Sequence, residues 1–166
     1  MTARSSKSAL PRDVHATGKP PLMTSARFRK LLRENLPMIA DWGVVVNSIG
    51  HGTAVLSLPG NPRFLRPGET VSGPVLMGLA DVAVYAALLG AIGPVPLAVT
   101  SNLTINFLRK PGASAVRAEA EILKLGRRLA TGEVRLYAGS STEMAAHVIA
   151  SYVIPERKTG RLRRPG

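Results

Sequence analysis

The chain has 166 residues, a formal net charge of +12, no cysteine, and 45% apolar but only 4% aromatic residues. That length suits one domain whose core buries roughly 70% of the unfolded chain's surface. The lack of cysteine excludes disulfide scaffolds, thiolate zinc sites and cysteine nucleophiles, and fits a reducing compartment. The charge sits at the ends. Residues 1–35 carry eight Lys/Arg against two acidic residues, residues 156–166 carry five against one, and residues 36–155 carry nine against seven. A high pI by itself points to nucleic acid; this distribution instead describes two basic tails on a nearly neutral body.

Residues 1–22 mix Ser, Thr, Lys, Arg and three Pro without an apolar run, which reads as a disordered leader and offers no secretory signal. A cytoplasmic location is expected, with an Arg- and Ser-rich transit peptide the weaker reading. The domain is expected over residues 23–155, followed by a second basic tail, 156–166. Thr24 or Ser25 caps a first helix through ARFRKLLRENL, with Phe28, Leu31, Leu32 and Leu36 near helical spacing. Gly43 opens a strand, VVVNSI, and the turn Gly50-His51-Gly52 leads to a second strand, TAVLSL, a hairpin pattern. Residues 59–68 (PGNPRFLRPG) form a turn-rich loop.

From Thr70 to Leu108 the only charged residue is Asp81. Pro74 to Ile92 reads as a helix with Pro at its first position and a Gly93-Pro94 stop. In the segment LAVTSNLTINFL, strand periodicity places Leu97, Val99, Leu103, Ile105 and Phe107 on one face, with Thr100, Asn102, Thr104 and Asn106 on the other. Three more strand-like segments follow: AVRAEAEIL, RLATGEVRLYA and MAAHVIASYVI. Short links favour antiparallel pairing. The expected fold is therefore α+β, an antiparallel six-stranded sheet wrapped around a long helix that is apolar on all sides. A membrane span is not expected from that helix, because Asp81 interrupts it and its flanks are amphipathic strands.

The chain has no G-x-S-x-G elbow, no G-x-x-x-x-G-K-[ST] loop and no H-E-x-x-H. His15, His51 and His147 are scattered, so no metal site is expected. Asp81 is the anomaly. Met77, Gly78, Val84, Tyr85 and Leu88 share its helical face, and none is a charged partner. A carboxylate there is either solvated at a subunit edge or a general base or nucleophile in an apolar pocket; we take the second reading. At the helix entry, Val71-Ser72-Gly73-Pro74, the Gly73 N–H lies at the positive end of the helix dipole and can stabilise an oxyanion, whereas Pro74 has no N–H to give. Gly73 and Asp81 are eight residues apart, roughly 12 Å along a helix. Both must come within about 3 Å of one reacting centre to cooperate. If both act, one subunit's Gly73 must face another's Asp81, which requires at least a two-fold homodimer.

The run RPGETVSGPVLMGLADVAVYAALLGAIG, followed by LAVTSNLTINFLRKP, resembles acyl-CoA thioesterases of the hotdog fold, in the phenylacetate-pathway (PaaI-like) branch of the 4-hydroxybenzoyl-CoA thioesterase superfamily. The resemblance covers most of residues 40–155 and is strongest in the spacing of Gly73 and Asp81 and in the strand from Asn102 to Arg109. It implies that Asp81 activates water or attacks the thioester carbonyl while the Gly73 N–H of the partner subunit polarises it. It implies substrate contacts from Asn61 or Arg66 in the preceding loop, from Ser72, and from Asn102 and Asn106. It further implies coenzyme A phosphates near Arg109 and Lys110, with Arg127 or Arg128 as weaker choices. Where family members often read His-Gly-Gly, this chain has Ser72-Gly73-Pro74, which keeps the N–H and loses a polar group beside the carbonyl. The implied reaction is thioester hydrolysis with no cofactor beyond the coenzyme A carried by the substrate. The implied assembly is a homodimer, expected to form a homotetramer as a dimer of dimers.

Two other classes fit the same fold. A non-catalytic acyl-CoA-binding regulator would use its basic tails on DNA, with steep salt dependence, although no helix-turn-helix pattern is present. A hydratase would need an acid–His pair, and no His follows Asp81 nearby.

Overall fold

The computed structural model describes residues 18–156, and within them two contacts anchor the chain just before the first helix. Leu22 N–H donates to Gly90 O at 2.8 Å, and the Met23 side chain is buried. Most of the leader and all but Glu156 of the C-terminal tail lie outside the described residues. Thr24 is the cap of helix α1 (Ser25–Asn35), its hydroxyl accepting from Arg27 N–H at 3.3 Å. Phe28 and Leu32, one turn apart, are its buried face. A second helix, α2 (Pro37–Asp41), follows at once with Pro37 in its first turn. Its sequence does not announce it, since five residues are too few to show a helical repeat.

The hairpin is β1 (Val45–Ile49) and β2 (Thr53–Leu58). The turn-rich loop contains one 3-10 turn, Pro62–Phe64, and a two-residue strand, β3 (Leu65–Arg66), that pairs with β4 (Thr70–Val71). This small hairpin delivers the chain to α3 (Gly73–Ile92), where Pro74 is tolerated because first-turn N–H groups have no helical partner. Four strands complete the described residues: β5 (Val99–Phe107), β6 (Val116–Leu125), β7 (Leu129–Ala138) and β8 (Met144–Val153).

All six long strands form one antiparallel sheet in the order β1-β2-β6-β7-β8-β5. Consecutive β6, β7 and β8 pair through short turns as expected. The β5–β6 link is the exception: it crosses the sheet, leaving β5 at the edge beside β8. The sheet curls around α3. From Leu79 to Ala91 every residue of that helix except Asp81 is buried, against Leu56 and Leu58 of β2, Val134 and Leu136 of β7, and Val148 and Ala150 of β8 among others. This helix is long and apolar enough to cross a membrane, yet its apolar surface is spent on the domain's own core.

The helix and hairpin touch without intervening side chains at one point. A Cβ on Gly90 would lie 2.2 Å from Gly50 O, so only glycine lets the β1–β2 turn seat against the last turn of α3.

Strand β5 departs from simple alternation. Its register against β8 shifts between Thr100 and Asn102, a bulge at Ser101. Beyond the bulge Leu103 and Ile105 pack on the core and Phe107 faces Gly73, as the alternation predicts. Before it the faces are exchanged. Thr100 turns inward to Asp81, and Val99 pairs on the outer face with Val153.

Candidate active site

Asp81 sits where the wrapping sheet leaves α3 partly uncovered, so its carboxylate is half-buried rather than sealed in the core. It opens into a cavity of about 460 Å³ whose walls include Leu36, Met38 and Ile39 from the α1–α2 corner, Tyr85 and Val82 from α3, and Ala98 just before β5. Two hydroxyls reach the same carboxylate oxygen. Thr100 Oγ1 donates to Oδ1 at 2.7 Å, and Tyr152 Oη lies 2.6 Å from it. Tyr152 Oη is also 2.8 Å from the Asp81 main-chain oxygen. Among the described residues no hydrogen bond reaches Oδ2.

Neither Thr100 nor Tyr152 emerges as a site residue in the sequence analysis. Tyr152 is 71 positions from Asp81 and arrives only because β8 lies beside β5 over the helix. Its side chain is buried and its ring stacks on Tyr85, with centroids 6.1 Å apart. Burial first, then the negative charge of Asp81, push the Tyr152 hydroxyl far above the usual phenol range. Burial raises Tyr85 as well, whose hydroxyl donates to Pro96 O at 3.3 Å.

Gly73, the first residue of α3, belongs to a different cavity, of about 350 Å³, lined by Arg66, Thr70, Leu76, Phe107, Arg109 and Lys110 among others. The Phe107 ring lies over it; a Cβ on Gly73 would stand 3.1 Å from the ring. Ser72 N–H donates to Phe64 O at 2.8 Å and Ser72 O accepts from Leu76 N–H, but the Gly73 N–H has no partner among the described residues. Ser72 is the N-cap, and its hydroxyl makes no capping bond. A free N–H at a helix N-terminus in a cavity rimmed by three cations is a place for a developing negative charge. Among the described residues Arg66 and Lys110 have no ion-pair partner, whereas Arg109 is held by Glu143 at 3.2 Å and by Met144 O.

The other sequence candidates fall elsewhere. Asn61 caps the 3-10 turn, its Oδ1 accepting from Arg63 N–H at 3.0 Å, and it lines neither cavity. Asn102 and Asn106 pair with Ser151 and His147 on the outer face of the sheet, so the sheet itself separates them from α3. Strand alternation alone puts them there, because their neighbours Leu103, Ile105 and Phe107 take the inner positions. Arg127 and Arg128 line a third and larger cavity, about 620 Å³, with Ile92 and Ile154. Ile92 is eleven residues beyond Asp81, roughly 16 Å along the helix, so this cavity serves neither candidate group despite its size. Arg128 is moreover paired with Glu156. Among the described residues no cluster of three or more His, Asp or Glu could hold a metal ion.

Comparison with known proteins agrees with this architecture. Residues 68–145 match the family model of the thioesterase superfamily. A candidate thioesterase from a Silicibacter species has a similar structure (TM-score 0.76) at 34% identity, covering 87% of this chain and all of that one. A variant of the phenylacetic acid degradation protein PaaI from Thermus thermophilus matches at 27% identity and TM-score 0.65, over 72% of this chain and 99% of its own. The Escherichia coli PaaI protein, at 21% identity and TM-score 0.71 over 80% and 94% of the two chains, shares the fold. No curated protein sequence matches the chain. With a relative one-third identical along its whole length, and with the helix-in-sheet architecture in place, the chain belongs to the thioesterase superfamily, as a PaaI-like thioester hydrolase of the hotdog fold.

Proposed function

We propose that the chain hydrolyses acyl-CoA thioesters at a site completed by two copies of itself, with Asp81 of one subunit opposite Gly73 of the other. The observation that carries this reading is the separation of two complementary half-sites. A carboxylate with one free oxygen stands in an apolar-walled cavity, and a free helix N–H stands in a second cavity rimmed by cations. Strand β5 spans the interval between them, with Thr100 at the Asp81 end and Phe107 at the Gly73 end. Antiparallel pairing of two β5 edges brings the Asp81 end of one against the Gly73 end of the other.

In this assignment the acyl group enters the Asp81 cavity, and the partner's Gly73 N–H binds the carbonyl oxygen as it gains charge. Asp81 either removes a proton from water as it attacks the carbonyl carbon, or attacks first to give an anhydride that water then hydrolyses. In both cases the carbon–sulfur bond breaks, coenzyme A leaves as the thiol after taking up a proton, and the acid is released. Arg66, Arg109 and Lys110 lie on the coenzyme A side and offer charge to its phosphates. The reaction as proposed uses these groups and the coenzyme A of the substrate, in the cytoplasm. The expected assembly is a dimer, or a tetramer built as two such dimers.

The test is thiol release from a panel of short, long and aromatic acyl-CoAs by the wild type and Asp81→Ala side by side. Turnover that disappears in the variant, with its oligomeric state retained, is the expected result and names the acyl class. Undiminished hydrolysis by Asp81→Ala would overturn the role of Asp81. Binding without release from any substrate would favour the regulator reading, for which salt-dependent DNA binding is the next measurement.

A further inference from the structure

We propose that Tyr152 is the positioning residue of this site: with Thr100 it fixes Asp81 Oδ1 against the strands and so assigns Oδ2 as the reacting oxygen. The inference rests on the reading of Asp81 as base or nucleophile and adds which of its oxygens acts and what holds it.

A carboxylate on a helix rotates about two side-chain torsions, and the last of these is broad and nearly two-fold. Left alone, Asp81 would present either oxygen to the cavity and would spend part of its time in non-productive rotamers. Here both donors converge on Oδ1, Thr100 at 2.7 Å from β5 and Tyr152 at 2.6 Å from β8. They come from two neighbouring strands of the sheet, so the carboxylate is pinned between two rigid elements. Oδ2 alone remains for water or the thioester carbon.

Tyr152 has a second acceptor at 2.8 Å, the Asp81 main-chain oxygen. One hydroxyl carries one proton, so it stands between the backbone and the side chain of the same residue. It therefore ties the position of the carboxylate to the position of the helix. Its own freedom is small. The ring is buried and stacked on Tyr85, which in turn packs against Phe28 of α1 with ring centroids 5.8 Å apart. Burial also keeps the hydroxyl protonated, so it remains a donor throughout the range in which a thioesterase works.

Fixing a reacting group in this way acts on the chemical step more than on substrate affinity. Tyr152→Phe deletes the donor and keeps the ring stack. The expected result is a fall in kcat of about ten- to a hundredfold, the size expected when a hydrogen bond to a charged group is lost in the chemical step, with KM unchanged and a cooperative unfolding transition retained at a somewhat lower melting temperature. Thr100→Val should show the same pattern and Thr100→Ser, which keeps the donor, should restore kcat. The Thr100→Val/Tyr152→Phe double variant should fall to the residual rate of Asp81→Ala. Wild-type kcat in Tyr152→Phe, alongside an inactive Asp81→Ala, would overturn the positioning role while leaving Asp81 in place. Activity in Asp81→Ala would instead overturn the reading on which it rests. If Tyr152→Phe fails to fold, the Thr100→Val and Thr100→Ser pair decides: equal kcat in the two would overturn the pinning of Oδ1.

Discussion

The Tyr152 hydroxyl is neutral, buried and 2.6 Å from a carboxylate oxygen, and ionising it would place two negative charges side by side away from water. The folded state therefore holds this proton more tightly than the unfolded chain, in which a tyrosine titrates near 10. The sign follows from proton linkage. Above about pH 10 the unfolded chain has released the proton and the native protein still binds it, so stability is complete below that pH and declines as pH rises beyond it. Tyr85, raised by burial alone, adds to the same decline. Urea unfolding midpoints measured at pH 8 and pH 11 should fall for the wild type, and fall less for Tyr152→Phe, which has one fewer such proton. An equal fall in both proteins would place the alkaline sensitivity elsewhere.

At the scale of the elements, Gly90 is where the most tightly constrained contact lies. The β1–β2 turn is closed by Gly50 N–H donating to Thr53 O at 2.8 Å, and its outward carbonyl, Gly50 O, presses on the last turn of α3. In Gly90→Ala the new methyl would meet that backbone oxygen at 2.2 Å and Ile49 Cγ2 at 3.0 Å. Backbone on both sides must move apart, at a cost of about 3 kcal/mol for overpacking. For a domain of this size that corresponds to a melting temperature lower by roughly 10 °C. An unchanged melting curve would mean that the hairpin is not seated on the helix.

The same elements show what the sequence makes legible. β2 and α3 stand out because both carry their own punctuation: Gly52 before TAVLSL, and Gly73-Pro74 with Gly93-Pro94 around an apolar run. Asp81 is visible as the one charge in that run. α2 has too few residues for a periodicity, and Pro37 at its start was its only local signal. The bulge at Ser101 is set by pairing with β8, so no local pattern announces that Thr100, not Val99, turns toward the helix. Tyr152 escapes for the same reason on a larger scale. Its partnership with Asp81 exists only once the β5–β6 link has crossed the sheet and placed β8 next to β5. Asn102 and Asn106 show the converse, since polar residues beside a core helix in sequence can lie on the far side of the sheet in space.

For the whole molecule the open question is what covers the outer edge of β5. Natural edge strands are usually short or carry Lys, Pro or inward charges that discourage pairing. β5 is nine residues long, and from Val99 to Phe107 it contains no charged residue and no proline. The opposite edge, β1, has five residues and a register shift. A second copy of β5 is therefore the natural partner, and the proposed site fixes the register. The inward residues in order are Thr100, Leu103, Ile105 and Phe107. Opposed antiparallel residues share a face, and Ser101 is an extra, unpaired residue of the strand, so placing Thr100 opposite the partner's Phe107 also sets Leu103 opposite the partner's Ile105. The two-fold axis then passes through Thr104, which points away from α3. Opposed residues in such a pair have Cα atoms about 4.5–5.5 Å apart, within the range of a disulfide. Because the chain has no cysteine, Thr104→Cys offers a clean reporter. Under mild oxidation it should give a covalent dimer on a non-reducing gel with hydrolysis retained, and Ser48→Cys on β1 should give none. Cross-linking at Ser48 and none at Thr104 would move the subunit contact to the other edge of the sheet. Gly73 of one copy would then have no route to Asp81 of the other.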